Sequence, residues 1–272
     1  MTLDELENLP KHNLGNDYLK NQIFKNLDYY ADFYESMSDV VMMRFTSGTL
    51  AYYNIDTYVF MAMKGTMQSI KAVLEQGRIN DAYALLRKYY DSTIINIYCI
   101  LYLKDHYGVD NFIVHQIENW RKGKESIPEY RIMSQYIQNH IDAQEISKIL
   151  KKDDRYKLIR DRCNDHVHYN FYANLLLNDN KSYMPERIEH LSVLDIDLEN
   201  LFIQHLAYLF FAKDIYMASS DHIDHLDMGY TPPDDSQYWV ASFIQDVFDK
   251  LIKTKRLDVY EAIKNNTVMH LQ

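Results

Sequence analysis

The most reactive side chains of this 272-residue chain are concentrated in one stretch, 160–172, which reads RDRCNDHVHYNFY. Residues four apart share a face of an α-helix. Arg160, Asn164 and His168 are therefore predicted to line one face, and Arg162 and His166 another. Histidine titrates near neutral pH and can move protons, while an arginine fork binds and stabilises phosphate oxygens. These residue types suit acid–base chemistry on a phosphodiester.

A run of positive charge leads into this stretch. Residues 148–162 contain seven lysines and arginines and three aspartates. Their net charge is +4, in a chain whose formal net charge is −10. Such a local excess can attract a phosphodiester that the rest of the surface repels. A solvated helix face is the alternative interpretation. The candidate RNA-binding residues are Lys151, Lys152, Arg155 and Lys157.

The spacing from Arg162 to His168 resembles the motif of the HEPN family, in which an arginine precedes a histidine by several residues. Asn164 supplies the polar residue early in the interval, and Val167 stands just before the histidine, as is common in the family. HEPN proteins are small helical bundles, and many are endoribonucleases of toxin, anti-phage or RNA-processing systems. The resemblance implies that Arg162, His168 and Asn164 are catalytic.

A second segment, 77–98, is similar to the helix of related bundles in which an arginine precedes an acidic residue by one turn. Arg87 and Asp91 occupy these positions, and supporting roles are implied for them and for Arg160 and His166, the latter as a second ligand for phosphate. A structural ion pair between Arg87 and Asp91 is an equally good interpretation. The pair Arg160 and His166 also satisfies the motif spacing, so the register stays open.

In such a site the histidine takes a proton from an RNA 2′-hydroxyl or gives one to the leaving oxygen, and the arginine stabilises the extra negative charge on phosphorus. No metal or cofactor is needed, because the attacking oxygen belongs to the substrate. The expected products are a 2′,3′-cyclic phosphate and a 5′-hydroxyl, and DNA should resist cleavage. In the family, two motif helices meet across a two-fold axis, which implies a homodimer.

Other functions remain open at this stage. The resemblance allows for a regulatory protein partner or an antitoxin. The main alternative is a non-catalytic HEPN-like module that binds RNA, a nucleotide or a protein, and a third is a structural subunit. Two histidines and two aspartates lie close together in one segment and could suggest a metal site: His222, Asp224, His225 and Asp227. They lack a third ligand at recognisable spacing. We therefore predict a solvated acidic loop and no metal site.

The elements that must position these residues are predicted to be helices, because only 7 glycines and 5 prolines occur in the whole chain. We expect an all-α, HEPN-like bundle in a single domain, with its core at about 77–220, N-terminal helices in 17–76 and a C-terminal helix at 235–264. Gly77 is predicted to end a helix, and Asn80 or Asp81 to cap the next. The predicted helices are 17–44, 54–76, 81–105, 109–121, 129–139, 143–151, from 153 or 154 to about 177, 193–220 and 235–264.

The cellular setting is predicted from charge and composition. The N-terminus MTLDELENLP lacks the basic and apolar regions of a secretory signal, and no apolar run is long enough to cross a bilayer. Cys99 and Cys163 lie in apolar stretches and are predicted to be reduced core residues. We therefore expect a cytoplasmic protein that binds neither membranes nor duplex DNA.

Overall fold

The computed structural model describes residues 14–44, 54–178, 184, 186–231, 233, 239–269 and 271. Of these residues, 76% are helical and none forms a strand. The prediction of an all-α fold is therefore confirmed. Within the same residues, no helix combines the length and the apolar character that crossing a membrane requires.

The helices, named here in chain order, largely follow the predicted boundaries. They are α1 (Asn16–Leu19), α2 (Ile23–Arg44), α3 (Ile55–Glu75), α4 (Ile79–His106), α5 (His115–Arg121), α6 (Tyr130–Asn139), α7 (Gln144–Leu150), α8 (Arg155–Val167), α9 (Tyr172–Leu176), α10 (Arg187–Ala212), α11 (Ser220–Asp227), α12 (Ser242–Val247), α13 (Lys253–Lys255) and α14 (Leu257–Asn266). A 3₁₀ turn occupies Asp214–Met217, and a π-helical turn occupies Phe248–Ile252.

The chain divides into two compact units. The first contains the described residues of Met1–Glu35, Phe60–Ser92 and Asp154–Phe202, and the second those of Ser36–Val59, Thr93–Asp153 and Ile203–Gln272. The prediction of a single domain with a HEPN-like core stays a prediction. The catalytic and supporting residues singled out above all belong to the first unit.

Aromatic rings form a large part of the interior of the first unit. The hydroxyl groups of Tyr34 and Tyr89 lie 2.6 Å apart, and the rings of Tyr30 and Phe202 are 4.4 Å apart. The Tyr18 hydroxyl donates to the carbonyl of Leu74 at 2.8 Å. Buried tyrosines contribute large apolar rings but need a partner for the hydroxyl. The tyrosines of α2 therefore stabilise the core of this unit.

Helix α4 follows its predicted course closely. Its stretch from Tyr89 to Leu101 is mostly buried, as expected for a helix that is apolar nearly all round. Gly77 ends the preceding helix with φ 78°, and its N–H donates to Leu74 while that of Arg78 donates to Val73. This is the bonding pattern of a Schellman C-cap. The prediction for Gly77 is confirmed.

Several predicted boundaries are wrong. Helix α4 begins at Ile79, so neither Asn80 nor Asp81 caps it. The segment 109–121 is helical only from His115, and helix 17–44 is interrupted before Ile23, whose N–H bonds to the side chain of Asn21.

The predicted acidic loop around His222 is also wrong, because it forms helix α11. The Ser219 hydroxyl accepts from the backbone N–H of His222 and caps this helix. The predicted helix 235–264 is divided into α12, the π-helical turn, α13 and α14, and its residues 235–238 lie outside the described part of the chain.

Both cysteines are buried and free. Burial raises the pKa of the Cys163 thiol to about 12, and burial raises that of Cys99 further. Since the thiolate is the reactive form, neither side chain is a nucleophile near neutral pH. The prediction that both are core residues is confirmed.

Candidate functional site

Helix α8 carries the motif and is anchored by one buried face. Tyr156, Ile159, Cys163 and His166 are buried along it. Val167, the last residue of α8, is exposed. Packing of these buried residues fixes the backbone of α8. The positions of the Cα atoms that carry the side chains on the other faces of the helix are thereby fixed as well.

The end of α8 sets the position of His168. The predicted helix ran to about 177, whereas α8 ends at Val167 with His168 as its C-cap. Tyr169 has φ 49°, its N–H donates to the carbonyl of His166, and that of Asn170 donates to Asp165. This is again a Schellman pattern, here with a tyrosine in the left-handed conformation that usually favours glycine. Because the chain turns away there, His168 is exposed.

One flank of α8 forms a polar network with α4. Nε of Arg87 donates to Oδ1 of Asn164 at 3.2 Å. The Nη1 atoms of Arg87 and Arg160 both donate to Oδ1 of Asp91, at 2.8 and 3.2 Å. The ion pair between Arg87 and Asp91, one of the two interpretations of these residues, is present. These three charged groups carry a formal charge of +1, and all are partly exposed.

Arg162 lies on a different flank and forms an ion pair with Asp197 of α10. Its Nε donates to Oδ2 at 2.8 Å, and Nη2 is 3.5 Å from Oδ1. The Asp197 side chain is only 4% exposed, against 39% for Arg162. Burial raises the pKa of Asp197 to about 6, although the guanidinium of Arg162 acts in the opposite direction. The positive charge of Arg162 thus compensates the negative charge of a buried carboxylate in the same unit.

His166 is a core residue. It is 4% exposed, its ring stacks on that of Tyr83 at 3.9 Å between centroids, and its Nδ1 lies 2.8 Å from Oδ1 of Asn80. Burial lowers its pKa to about 4, and the neighbouring His190 and Arg162 act in the same direction. This burial argues against a phosphate-binding role for His166 and against the register of Arg160 with His166, and both stay predictions.

The burial of His166 predicts a pH-dependent stability. An unfolded histidine takes up a proton near pH 6.5, whereas folded His166 does so only near pH 4. The stability that neutral His166 contributes is therefore complete above pH 6.5 and is lost as the pH falls through 4. The free energy of unfolding of the wild type should drop, relative to a His166→Asn variant, by about 3 kcal/mol between pH 7 and pH 4.

Urea unfolding at a series of pH values measures this effect. Taking the difference between the two proteins removes contributions from other titrating groups, including Asp197. A difference in free energy that stays constant from pH 7 to pH 4 would contradict the assignment of His166 as a buried neutral histidine.

The candidate RNA-binding residues are not brought into one cluster by the described contacts. Lys157 is exposed on α8, and Nη1 of Arg155 donates to Oδ1 of Asn200 at 2.9 Å. Lys151 and Lys152 belong to the second unit. Nζ of Lys151 donates there to Oε1 of Gln138 at 2.6 Å. Their role in binding RNA stays a prediction.

The sequence analysis did not predict three residues that contact the motif side chains in this region. Asp197 binds Arg162, and Asn80 and Tyr83 contact His166. Asp197 lies between Ile196 and Leu198 in the segment VLDIDLENLF, which also contains Asp195 and Glu199, and a charge that is buried requires a partner. That signal was available, but it does not identify which cation supplies the charge. For Asn80 and Tyr83 no local signal exists, since they lie more than eighty residues from His166 in the chain.

Within the described residues, no group of three or more histidine, cysteine, aspartate or glutamate side chains is arranged to hold a metal ion. His225 of α11 has Nδ1 2.7 Å from the carbonyl of Asp221, one turn earlier in the same helix. Comparison of the chain with protein-family models, curated proteins and solved structures gives no match.

Proposed function

We propose that this protein is an endoribonuclease of the HEPN type, which cleaves RNA without a metal by attack of the 2′-hydroxyl. The observation that carries the proposal is the placement of His168. It is exposed at the end of the helix face that also presents Asn164 and Arg160, and the guanidinium of Arg87 donates to Asn164 of that face. A proton-transferring group and phosphate-binding groups thus share one face of α8.

In this proposal the residues have distinct roles. His168 accepts the proton of the 2′-hydroxyl or protonates the leaving 5′-oxygen. Arg160 and Arg87 bind the phosphate oxygens and stabilise the charge that develops on them. Asp91 holds both guanidinium groups in place. Asn164 orients Arg87 through its side-chain oxygen.

The geometry favours Arg160 over Arg162 as the catalytic arginine. Successive residues of an α-helix are about 100° apart, so Arg160 and His168 are separated by about 80° around the axis. Arg162 and His168 are separated by about 120° on the same basis. The side chain of Arg162 is also engaged with Asp197. Arg162 remains the residue that the family resemblance implies, and the two assignments predict different variants to be inactive.

A second copy of the chain is proposed to complete the site, because one histidine supplies either the base or the acid but not both at once. Exposed apolar side chains flank His168 in the sequence, among them Val167, Phe171 and Tyr172. Exposed aromatic and aliphatic groups of this kind are typical of surfaces that associate. They support a two-fold contact between the ends of two α8 helices. A role in a toxin or anti-phage system is proposed from the resemblance to the HEPN family alone.

The proposal is tested by incubating the purified protein with a labelled single-stranded RNA in excess EDTA. We expect cleavage, products with a 2′,3′-cyclic phosphate and a 5′-hydroxyl, and no cleavage of a DNA of the same sequence. A His168→Ala variant purified in parallel controls for contaminating nuclease. RNA that is bound but left intact would instead indicate a non-catalytic module, and RNA neither bound nor cleaved would overturn the proposal.

A further inference from the structure

A cavity of about 460 Å³ lies within the second unit, between residues of α4, the end of α10 and the 3₁₀ turn that follows. This volume is in the range of about 300–1,000 Å³ that is usual for sites of small molecules and cofactors. The lining includes Ile100, Leu103, Lys104 and Tyr107 of α4 and Lys213 after α10. None of the residues used in the proposed nuclease site lines it.

The floor of the cavity is a buried hydrogen-bonded network around Asp56. Oδ1 of Asp56 accepts from Nδ2 of Asn96 at 2.8 Å, and Oδ2 accepts from the Tyr216 hydroxyl at 2.6 Å. His205 donates from Nε2 to Oδ1 of Asn96 at 2.8 Å. Burial raises the pKa of the Asp56 carboxyl above its ordinary value. Both oxygens of Asp56 thus accept hydrogen bonds from the protein.

Lys213 is the cation that this network positions at the cavity. Its Nζ donates to the Tyr216 hydroxyl at 2.6 Å, lies 3.7 Å from Oδ2 of Asp56 and is 4.3 Å from the centroid of the Tyr216 ring. The side chain is nevertheless 38% exposed. An ammonium group has three donors, so hydrogen-bonding capacity remains for a ligand. The Lys213 ammonium is therefore held in place without being buried.

The remaining wall combines a second cation with apolar surface. Lys104 lies 2.5 Å from Asp142 and is more than half exposed. Ile100, Leu103 and the ring of Tyr107 supply apolar contact area. Asp214 also lines the cavity, and its carboxylate accepts from the backbone N–H of Val268 at 3.2 Å.

We propose that this cavity binds a small organic anion with a flat apolar body, whose carboxylate, sulfonate or phosphate contacts Lys213 while the body packs on Ile100, Leu103 and Tyr107. Charge-assisted hydrogen bonds supply orientation, and burial of the apolar body supplies affinity. Such a site is distinct from the proposed nuclease site and does not depend on nuclease activity. It gives the second unit a ligand-binding role.

The fluorescent probe anilinonaphthalene sulfonate has this chemistry and tests the proposal directly. We expect a saturable rise in fluorescence with the full-length protein at one site. Lys213→Met should weaken binding about tenfold, the loss expected for one charge-assisted contact. Leu103→Trp should abolish binding by filling the cavity. Circular dichroism should show unchanged helix content in both variants.

A matched control is Lys264→Met. Lys264 also lies beside a tyrosine ring, 5.7 Å from the centroid of Tyr260, but it is not among the residues that line the cavity. This variant should bind the probe as the wild type does. Equal binding by wild type, Lys213→Met and Leu103→Trp would overturn the proposal.

Displacement of the probe by adenosine monophosphate would identify a phosphate ligand, and displacement by indole acetate would identify a carboxylate ligand.

Discussion

Replacing His168 by alanine will lower the rate of RNA cleavage by about a thousandfold, if His168 transfers a proton in the reaction. General acid–base catalysis by a positioned side chain contributes about 10²–10⁴ to the rate. His168 is exposed at the end of α8, so the substitution removes no buried contact and should leave the helical signal unchanged. The measurement is the initial rate of cleavage of a labelled RNA in excess EDTA at saturating enzyme.

His225→Ala is the matched control for this experiment. His225 is likewise an exposed histidine near the end of a helix, here α11, but it belongs to the second unit. Its replacement should leave the rate within a factor of about two. A His168→Ala protein that retains half or more of the wild-type rate would refute the catalytic role of His168.

The same assay distinguishes the two candidate arginines. Arg160→Ala should lower the rate about a hundredfold, the usual loss when one preorganised donor to a developing oxyanion is removed. Arg162→Ala combined with Asp197→Asn removes the other arginine together with its buried partner. If the double variant is the inactive one and Arg160→Ala is active, the register implied by the family resemblance is correct and the geometric argument for Arg160 is wrong.

Replacing Arg162 alone by alanine will lower the free energy of unfolding by about 2 kcal/mol at pH 8. The substitution leaves the carboxylate of Asp197, only 4% exposed, without its counter-charge. Removing one partner of a fully buried pair costs about 3–5 kcal/mol, and the partial exposure of Arg162 reduces that figure. Because the pKa of Asp197 is already about 6 with Arg162 present, loss of the arginine raises it further.

The pH and a second substitution both test this explanation. Protonation of Asp197 removes the unpaired charge, so the destabilisation should be smaller at pH 5 than at pH 8. Arg162→Ala with Asp197→Asn should recover about half of the loss, since a neutral amide needs no counter-charge. Urea unfolding followed by circular dichroism gives these free energies.

The control is Lys71→Ala, which breaks an exposed ion pair with Asp28 in the same unit. Exposed pairs contribute about 0–1 kcal/mol, so this change should be small. Should Arg162→Ala destabilise the protein no more than Lys71→Ala, and equally at both pH values, Asp197 would not depend on Arg162.

The helical periods of the sequence predicted the site in part. The four-residue spacing placed Arg160 and Asn164 on one face of the helix, and Arg162 and His166 on another. In the structure these two pairs do form hydrogen bonds with different residues. The pair Arg87 and Asp91 was likewise predicted one turn apart and forms an ion pair. These relations are local, because the pitch of one helix determines them.

The sequence did not reveal which of the two neighbouring histidines of the motif is buried. His166 and His168 are two positions apart and of the same residue type, yet one is stacked on Tyr83 in the core and the other is exposed. The end of α8 was also missed, because a tyrosine at φ 49° gives no glycine or proline signal. Backbone bonds from Tyr169 and Asn170 to the preceding turn stabilise that conformation.

The sequence by itself determined the all-α class, most of the long helices, the buried cysteines and the apolar character of α4. Each of these follows from composition or from a period that one helix contains. Only the tertiary structure decided that Arg162 compensates Asp197, that His166 is buried beside Asn80 and that Lys213 is held at a cavity by Tyr216 and Asp56. The physical reason is that the partner of a charge or hydrogen-bonding group is selected by packing between segments distant in the chain, which no local pattern encodes.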